Sequence, residues 1–181
     1  MAAVLERFAE NARAVVADTM ASAQADGVDE VRAEHLLLSL SRSPDGPTVA
    51  ALAEHGIDEA LVSRLVRGPG QLLDDDDRDA LGAFGIDVDD VLSRIEEGLG
   101  PRALAPVPSG ARRTRFGPEA KKALELAVRT TTSRHARSIS TDDLLVGVMR
   151  AGSAGVDRVL AAAGSNAPAV IASVERMRGA A

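Results

Sequence analysis

Near the start of the chain, Ala12, Val15, Val16, Met20 and Ala23 recur at three- and four-residue spacing, with Thr19 in the same stripe. This is the period of one face of an α-helix. The stripe returns at Ala120, Ala123, Leu124, Ala127, Val128 and Thr131. Placing Phe8 on Phe116 superposes the two stretches without a gap, at an offset of 108 residues, through to Gly56 on Gly164. A duplication of this kind outweighs any local signal, because the architecture follows from one unit used twice.

Each copy predicts the same order of elements. After the first long amphipathic helix come Val31-Arg-Ala-Glu-His-Leu-Leu-Leu-Ser-Leu40 and Ile139-Ser-Thr-Asp-Asp-Leu-Leu-Val-Gly-Val148. Both consist of an apolar residue, a polar capping stretch and a mostly apolar run, which predicts a second, more buried helix. Ser140 or Thr141 with Asp143 supplies a helix start, since a side-chain oxygen takes up free first-turn N–H groups and an acid complements the dipole. A third short helix stops at Gly56 and at Gly164. A fourth is predicted over Asp58 to Arg67 and over Ala167 to Arg178. The expected fold class is therefore all-α, two pseudo-symmetric four-helix repeats.

Between the copies, Gly68-Pro-Gly70 breaks the pattern and an acidic run, Asp74 to Asp77, follows. Ala80-Leu-Gly-Ala-Phe-Gly-Ile-Asp87 echoes Ala51-Leu-Ala-Glu-His-Gly-Ile-Asp58, so the insert is expected to duplicate the last two helices of the unit. The resulting division is a first repeat at 1–67, a helical insert at 68–99, a flexible linker at 100–115 and a second repeat at 116–181. The linker is rich in Pro, Gly and Ser and ends Arg112-Arg113-Thr114-Arg115.

Composition narrows the chemistry. With 181 residues, 45% of them hydrophobic, the chain can bury a core, and three Phe with neither Trp nor Tyr leave that core to small aliphatic side chains. No cysteine is present, which removes disulfides, thiolate catalysis and cysteine-bound zinc. No apolar run approaches the roughly 18 residues of a membrane span, and no secretory signal is visible, so a cytoplasmic protein without membrane contact is expected. The Ala/Arg/Asp/Gly bias points to a GC-rich bacterial genome.

Candidate catalytic groups do not converge. His35, His55 and His135 fall on different elements without metal-ligand spacing, and read as helix-start, helix-end and turn residues. Ser41 and Ser43 lack a nearby base. Asp74 to Asp77 lack the alternating ligands and central Gly of a calcium loop. Neither enzyme, metal nor cofactor is expected.

The stretch Phe116-Gly-Pro-Glu-Ala-Lys-Lys-Ala-Leu-Glu-Leu126 resembles the second-repeat opening of the N-terminal domains of Clp-type AAA+ unfoldases, Phe-Thr-Pro-Arg-Ala-Lys-Lys-Val-Leu-Glu-Leu, particularly in the ClpC branch. Glu34-His-Leu-Leu-Leu38 is similar to the family's Thr-Glu-His-Ile-Leu-Leu-Gly-Leu signature. The resemblance covers about residues 5–66 and 114–178 and leaves the insert outside it. It implies a docking domain for peptides or proteins of the Clp system, here without a Gly-x-x-x-x-Gly-Lys-Ser/Thr nucleotide loop.

By that resemblance, an acid at the start of each second helix meets the guanidinium of phosphoarginine on marked substrates, and the matching positions are Glu34 and Asp142. The family's Thr after the opening Phe is Ala9 in one copy and Gly117 in the other, so two hydroxyl donors are missing. A second surface of that branch takes cyclic peptide antibiotics of the cyclomarin kind. Its matching positions are Leu5, Phe8, Arg13, Val16, Phe116, Lys121, Glu125 and Val128, with Leu5 in place of a Phe. A free-standing copy could sequester such an antibiotic, or act as an adaptor bridging a client to a separate unfoldase. Nucleic-acid binding through Arg112, Arg113 and Arg115 is the rival from another class. It is disfavoured by a net charge of -6 and by the lack of interleaved aromatics. A monomer is the simpler default, since the pseudo-symmetry already lies within one chain.

Overall fold

A computed structural model of the chain describes residues 7–44, 46–67 and 114–179. Apart from Arg67, they belong to one compact unit drawn from both ends of the chain, residues 1–66 with 113–181. Its first repeat contains α1 (Glu10–Ala25), the short strand β1 (Glu30–Val31), α2 (Ala33–Ser41), α3 (Gly46–Glu54) and α4 (Glu59–Arg67). Its second contains β2 (Arg115–Phe116), α5 (Pro118–Ser133), α6 (Thr141–Ala151), α7 (Ala154–Ala162) and α8 (Ala167–Gly179). The all-α expectation holds. The offset of 108 carries α1 onto α5 and α3 onto α7 end to end. The insert and most of the linker lie outside the described residues.

The helix signals act as expected. Ser140 caps α6, its Oγ accepting the Asp143 N–H while the Asp143 carboxylate accepts the Ser140 N–H. Pro118 opens α5 at a position whose N–H would have no helical partner. Gly56 and Gly164 end α3 and α7 with φ of 66° and 63°, the left-handed backbone a helix stop uses.

Two backbone pairings had no signature in the sequence pattern. Val31 pairs in parallel with Phe116, and Phe8 with Ile139. The Gly117 N–H donates to the Val31 carbonyl at 2.8 Å and the Ala9 N–H to the Ile139 carbonyl at 2.9 Å. Val31 and Ile139 are themselves 108 residues apart, so each repeat's opening residue pairs with the residue that precedes the other repeat's second helix. Thr114 and Arg115, assigned to the linker from sequence, are drawn into this pairing. The Thr114 hydroxyl donates to the Val28 carbonyl and the Arg115 N–H to that of Asp29.

The core lies along α2 and α6. Leu36, Leu37, Leu40, Leu144 and Leu145 are fully buried, and α6 packs against α1, α2, α3, α5 and α8. His55, at the end of α3, bridges to the second repeat through hydrogen bonds with Ser173 at 2.9 Å and Ser165 at 3.0 Å.

The repeats differ at one helix crossing. Gly147 on α6 lies so close to α5 that an added Cβ would stand 2.3 Å from the Ala123 carbonyl oxygen and 2.8 Å from the Ala127 nitrogen. The matching position on α2 is Ser39, whose hydroxyl donates to Asp18 of α1 at 2.8 Å. Because the obstruction at Gly147 is backbone, a side chain there must push the helices apart. Gly147→Ala should therefore destabilise the protein by about 2–3 kcal/mol despite alanine's better helix propensity, visible as a lowered midpoint in chemical unfolding. Ser39→Ala should cost about 1 kcal/mol, the loss of one hydrogen bond.

Candidate functional site

The first repeat's acid stands at a junction of three helix starts. Glu34 occupies the first turn of α2, which β1 presses against the start of α5 through its pairing with β2. His35 completes the cap, its Nδ1 accepting the Arg32 N–H at 3.0 Å. Burial pushes the His35 imidazole below its ordinary value of 6.5, so at neutral pH the ring is uncharged and free to accept.

Glu34 is only 4% exposed. The Ser153 hydroxyl, just ahead of α7, lies 3.1 Å from its Oε2 and 2.8 Å from the Oε2 of Glu119 on α5. One hydroxyl carries one proton and cannot donate to both carboxylates at once. The cluster therefore has acceptor capacity that the protein's own hydroxyl does not fill. The Arg32 guanidinium sits 3.7 Å from Glu34 and is 60% exposed, a loose partner.

Beside these groups is a cavity of about 370 Å³. Its acidic wall is Glu30, Glu34 and Glu119, its cationic rim Arg32 and Arg158, and its remaining wall the helix starts at Gly117–Pro118 and Ala154–Gly155. Gly155 leaves room for the acid, since a Cβ there would fall 2.2 Å from the Glu34 carboxyl carbon. Carboxylates in the wall favour a guanidinium, and amides at helix starts favour an anion.

The second repeat's acid has a different setting. Asp142 accepts from the Thr48 hydroxyl at 2.8 Å and from Arg178 Nε of α8 at 3.1 Å. Its neighbour Asp143 is fully buried and accepts from Thr131, Arg134 and Arg178. Burial alone would raise the Asp143 carboxyl. The hydrogen bonds from Thr131, the Ser140 amide and Arg134, with the Arg178 charge, outweigh it and hold the group below its ordinary value of 3.8.

The other sequence candidates are dispersed. Phe8, Val16 and Phe116 are core residues, and Phe8 and Phe116 anchor the two backbone pairings. Arg13 is exposed and donates to the Phe8 carbonyl at 3.2 Å. Lys121 and Glu125 are exposed and Val128 half-buried on one stripe of α5. Leu5, Arg112, Arg113 and Asp74 to Asp77 lie outside the described residues, while Arg115 forms a loose ion pair with Glu30 at 3.9 Å. His35, His55 and His135 take the helix-start, helix-end and turn positions expected of them, His135 with φ of 55°. Sequence reasoning missed Glu119, Ser153, Gly155, Arg158 and Arg178. Ser153 had one usable signal, a hydroxyl residue just ahead of a helix.

Among the described residues, no group of three or more His, Asp or Glu side chains is arranged to hold a metal ion, and no helix is long and apolar enough to cross a membrane.

The fold is that of a doubled four-helix repeat with its acid-walled cavity at the seam between copies. The family model for the Clp repeat (R) N-terminal domain matches residues 70–163, just over half of the chain, and the chain belongs to that family. The matched stretch takes in residues 70–113, which the resemblance drawn from sequence had left out, and omits the first repeat.

Solved structures of similar fold include the N-terminal domain of the ClpD chaperone from Arabidopsis thaliana, with TM-score 0.56 and 20% identity, covering 97% of this chain and 96% of that one. The Hsp104 N-terminal domain from Candida albicans has TM-score 0.63 and 12% identity, covering 96% and 93%. A structure from a malarial protein secretion system has TM-score 0.59 and 14% identity, covering 94% and 93%. No curated protein matches the chain in sequence.

The buried acid makes the fold sensitive to pH. The folded-state value of Asp143 lies below its unfolded one, so its stabilisation is complete above pH 3.8 and is lost as pH falls from there through the lowered value. Thermal unfolding followed across pH should show this acid limb. Asp143→Asn should flatten it and cost about 3 kcal/mol at neutral pH, because Arg134 and Arg178 lose their shared partner.

Proposed function

We propose that the protein is a non-catalytic peptide- and protein-binding module of the Clp system, and that the cavity at Glu34 receives an arginine side chain of a client, phosphorylated on its guanidinium. The observation that carries this reading is the Ser153 hydroxyl set between two carboxylates. Glu34 and Glu119 together need a further donor, and a guanidinium brings several in a planar fork.

A phosphoryl group on that guanidinium adds negative charge, which the helix starts at Gly117 and Ala154 and the side chains of Arg32 and Arg158 suit. These cations take over the part of the hydroxyl donor absent at Gly117. The loose pairing of Arg32 with Glu34 fits that role, since Arg32 can swing to the phosphoryl group as the ligand guanidinium takes its place. Family membership and the fold support the docking function in general.

A cyclic peptide of the cyclomarin kind is the second ligand class. It is favoured by the outward stripe of Lys121, Glu125 and Val128 on α5, and a protein that binds it would act by sequestration.

Calorimetric titration with an arginine-phosphorylated peptide, its unphosphorylated form and cyclomarin separates these readings. The phosphorylated peptide is expected to bind, Glu34→Gln to weaken it at least tenfold, and Gly155→Ala to abolish it. Gly155→Ala should lower the unfolding midpoint less than Gly147→Ala does, because the nearest atoms the new methyl group meets are the end of the Glu34 side chain rather than backbone. Binding that survives both substitutions would exclude the cavity as the site, and cyclomarin binding lost in Lys121→Ala would favour the second class.

A further inference from the structure

The two acids that the repeat makes equivalent are not in equivalent states. Glu34 faces an open cavity, while Asp142 already holds a guanidinium from its own chain. Arg178 stands in the last turn of α8 and spans two neighbouring carboxylates, Nε to Asp142 at 3.1 Å and Nη2 to Asp143 at 2.8 Å. Its side chain is 13% exposed, that of Asp142 16%. Asp143 does not depend on it alone, since Arg134, Thr131 and the Ser140 amide already serve its two oxygens. The contact peculiar to Arg178 is therefore the one with Asp142, the acid that matches Glu34.

We infer that Arg178 is an internal ligand: it fills the guanidinium position of the second repeat, so that each chain offers one open site, at Glu34, and a second that opens only when the end of α8 releases its arginine. The assignment of Arg178 as occupant is independent of the client, but the number of client peptides bound rests on the reading of Glu34 given above. The location favours release. Arg178 is one residue from the helix end at Gly179, and the last turn of a helix opens at lower cost than its interior. Complementarity to the helix dipole and the paired acids keep it closed in the absence of a competitor.

Two measurements on the whole chain test this. The first is calorimetric titration of the native protein and of Arg178→Ala with an arginine-phosphorylated peptide. The second is thermal unfolding of both with and without millimolar methylguanidinium, with methylammonium as control. The native chain is expected to bind one peptide and the variant two. The variant should melt lower by roughly 5 °C, and methylguanidinium, but not methylammonium, should recover most of that loss while leaving the native protein unchanged. A purely structural role for Arg178 would predict the lower melting without the added peptide or the selective rescue.

A variant that gains no peptide over a native chain that binds one, or whose loss methylguanidinium does not recover, overturns the assignment. A native chain that binds no peptide, with a variant that methylguanidinium rescues, sinks the Glu34 reading and leaves Arg178 as the internal ligand. If the alanine variant does not fold, Arg178→Lys keeps the charge without the fork and should admit the second peptide. Its failure to do so counts against the inference.

Discussion

The arrangement rests on a reciprocal backbone pairing, Val31 with Phe116 and Phe8 with Ile139. Each repeat begins with a segment whose N–H and C=O groups have no helical partner, and burying them unpaired would be costly. Each segment finds its partner in the other repeat, immediately ahead of that repeat's second helix. This makes the two copies one unit and brings the start of α2 beside α5 and the start of α6 beside α1. The cavity at Glu34 is a consequence. Its walls come from both repeats because the pairing that closes the fold brings those helix starts to the same place.

Symmetry of the backbone does not impose symmetry of function. At the third helical position of the second helix the copies carry His35 and Asp143, which complete a cap in opposite ways. A neutral imidazole accepts one amide hydrogen and leaves the neighbouring Glu34 lightly engaged. A buried carboxylate instead demands several donors and gathers Thr131, Arg134 and Arg178 around itself. Arg178 spans both acids of that helix start, Asp142 and Asp143. The capping residue and the arginine of α8 together set the acid that faces a cavity apart from the acid that is already paired.

The repeat, the helix order, the stops at Gly56 and Gly164 and the burial of the second helices were legible because they depend on periodicity and on residues with strong local preferences. The acids at Glu34 and Asp142 were found through resemblance, and position alone distinguished neither. What sequence could not show were groups brought together over long separations, such as Ser153 with Glu34, or Arg178 with Asp142. Two-residue strands are too short for alternation to register, so the pairing that joins the repeats had no signature. Gly147 is a related case. Its need for a small residue comes from the approach of α5, which no pattern within α6 reveals.

On the proposed reading, net charge and local chemistry act in opposite senses. The chain carries a formal charge of -6, so its long-range field repels the client's phosphoryl group and does nothing to draw that group in. Recognition then falls to groups within a few ångströms of the cavity, namely the two exposed arginines, the helix-start amides and the carboxylates. Such short-range donors and acceptors discriminate by geometry. A phosphoserine peptide offers the anion without the guanidinium and leaves Glu34 and Glu119 still short of a donor. Unmodified arginine supplies the guanidinium and leaves the cationic rim unused. An acidic protein with a locally mixed site therefore selects for both charges joined on one side chain, which a uniformly basic docking surface would not do.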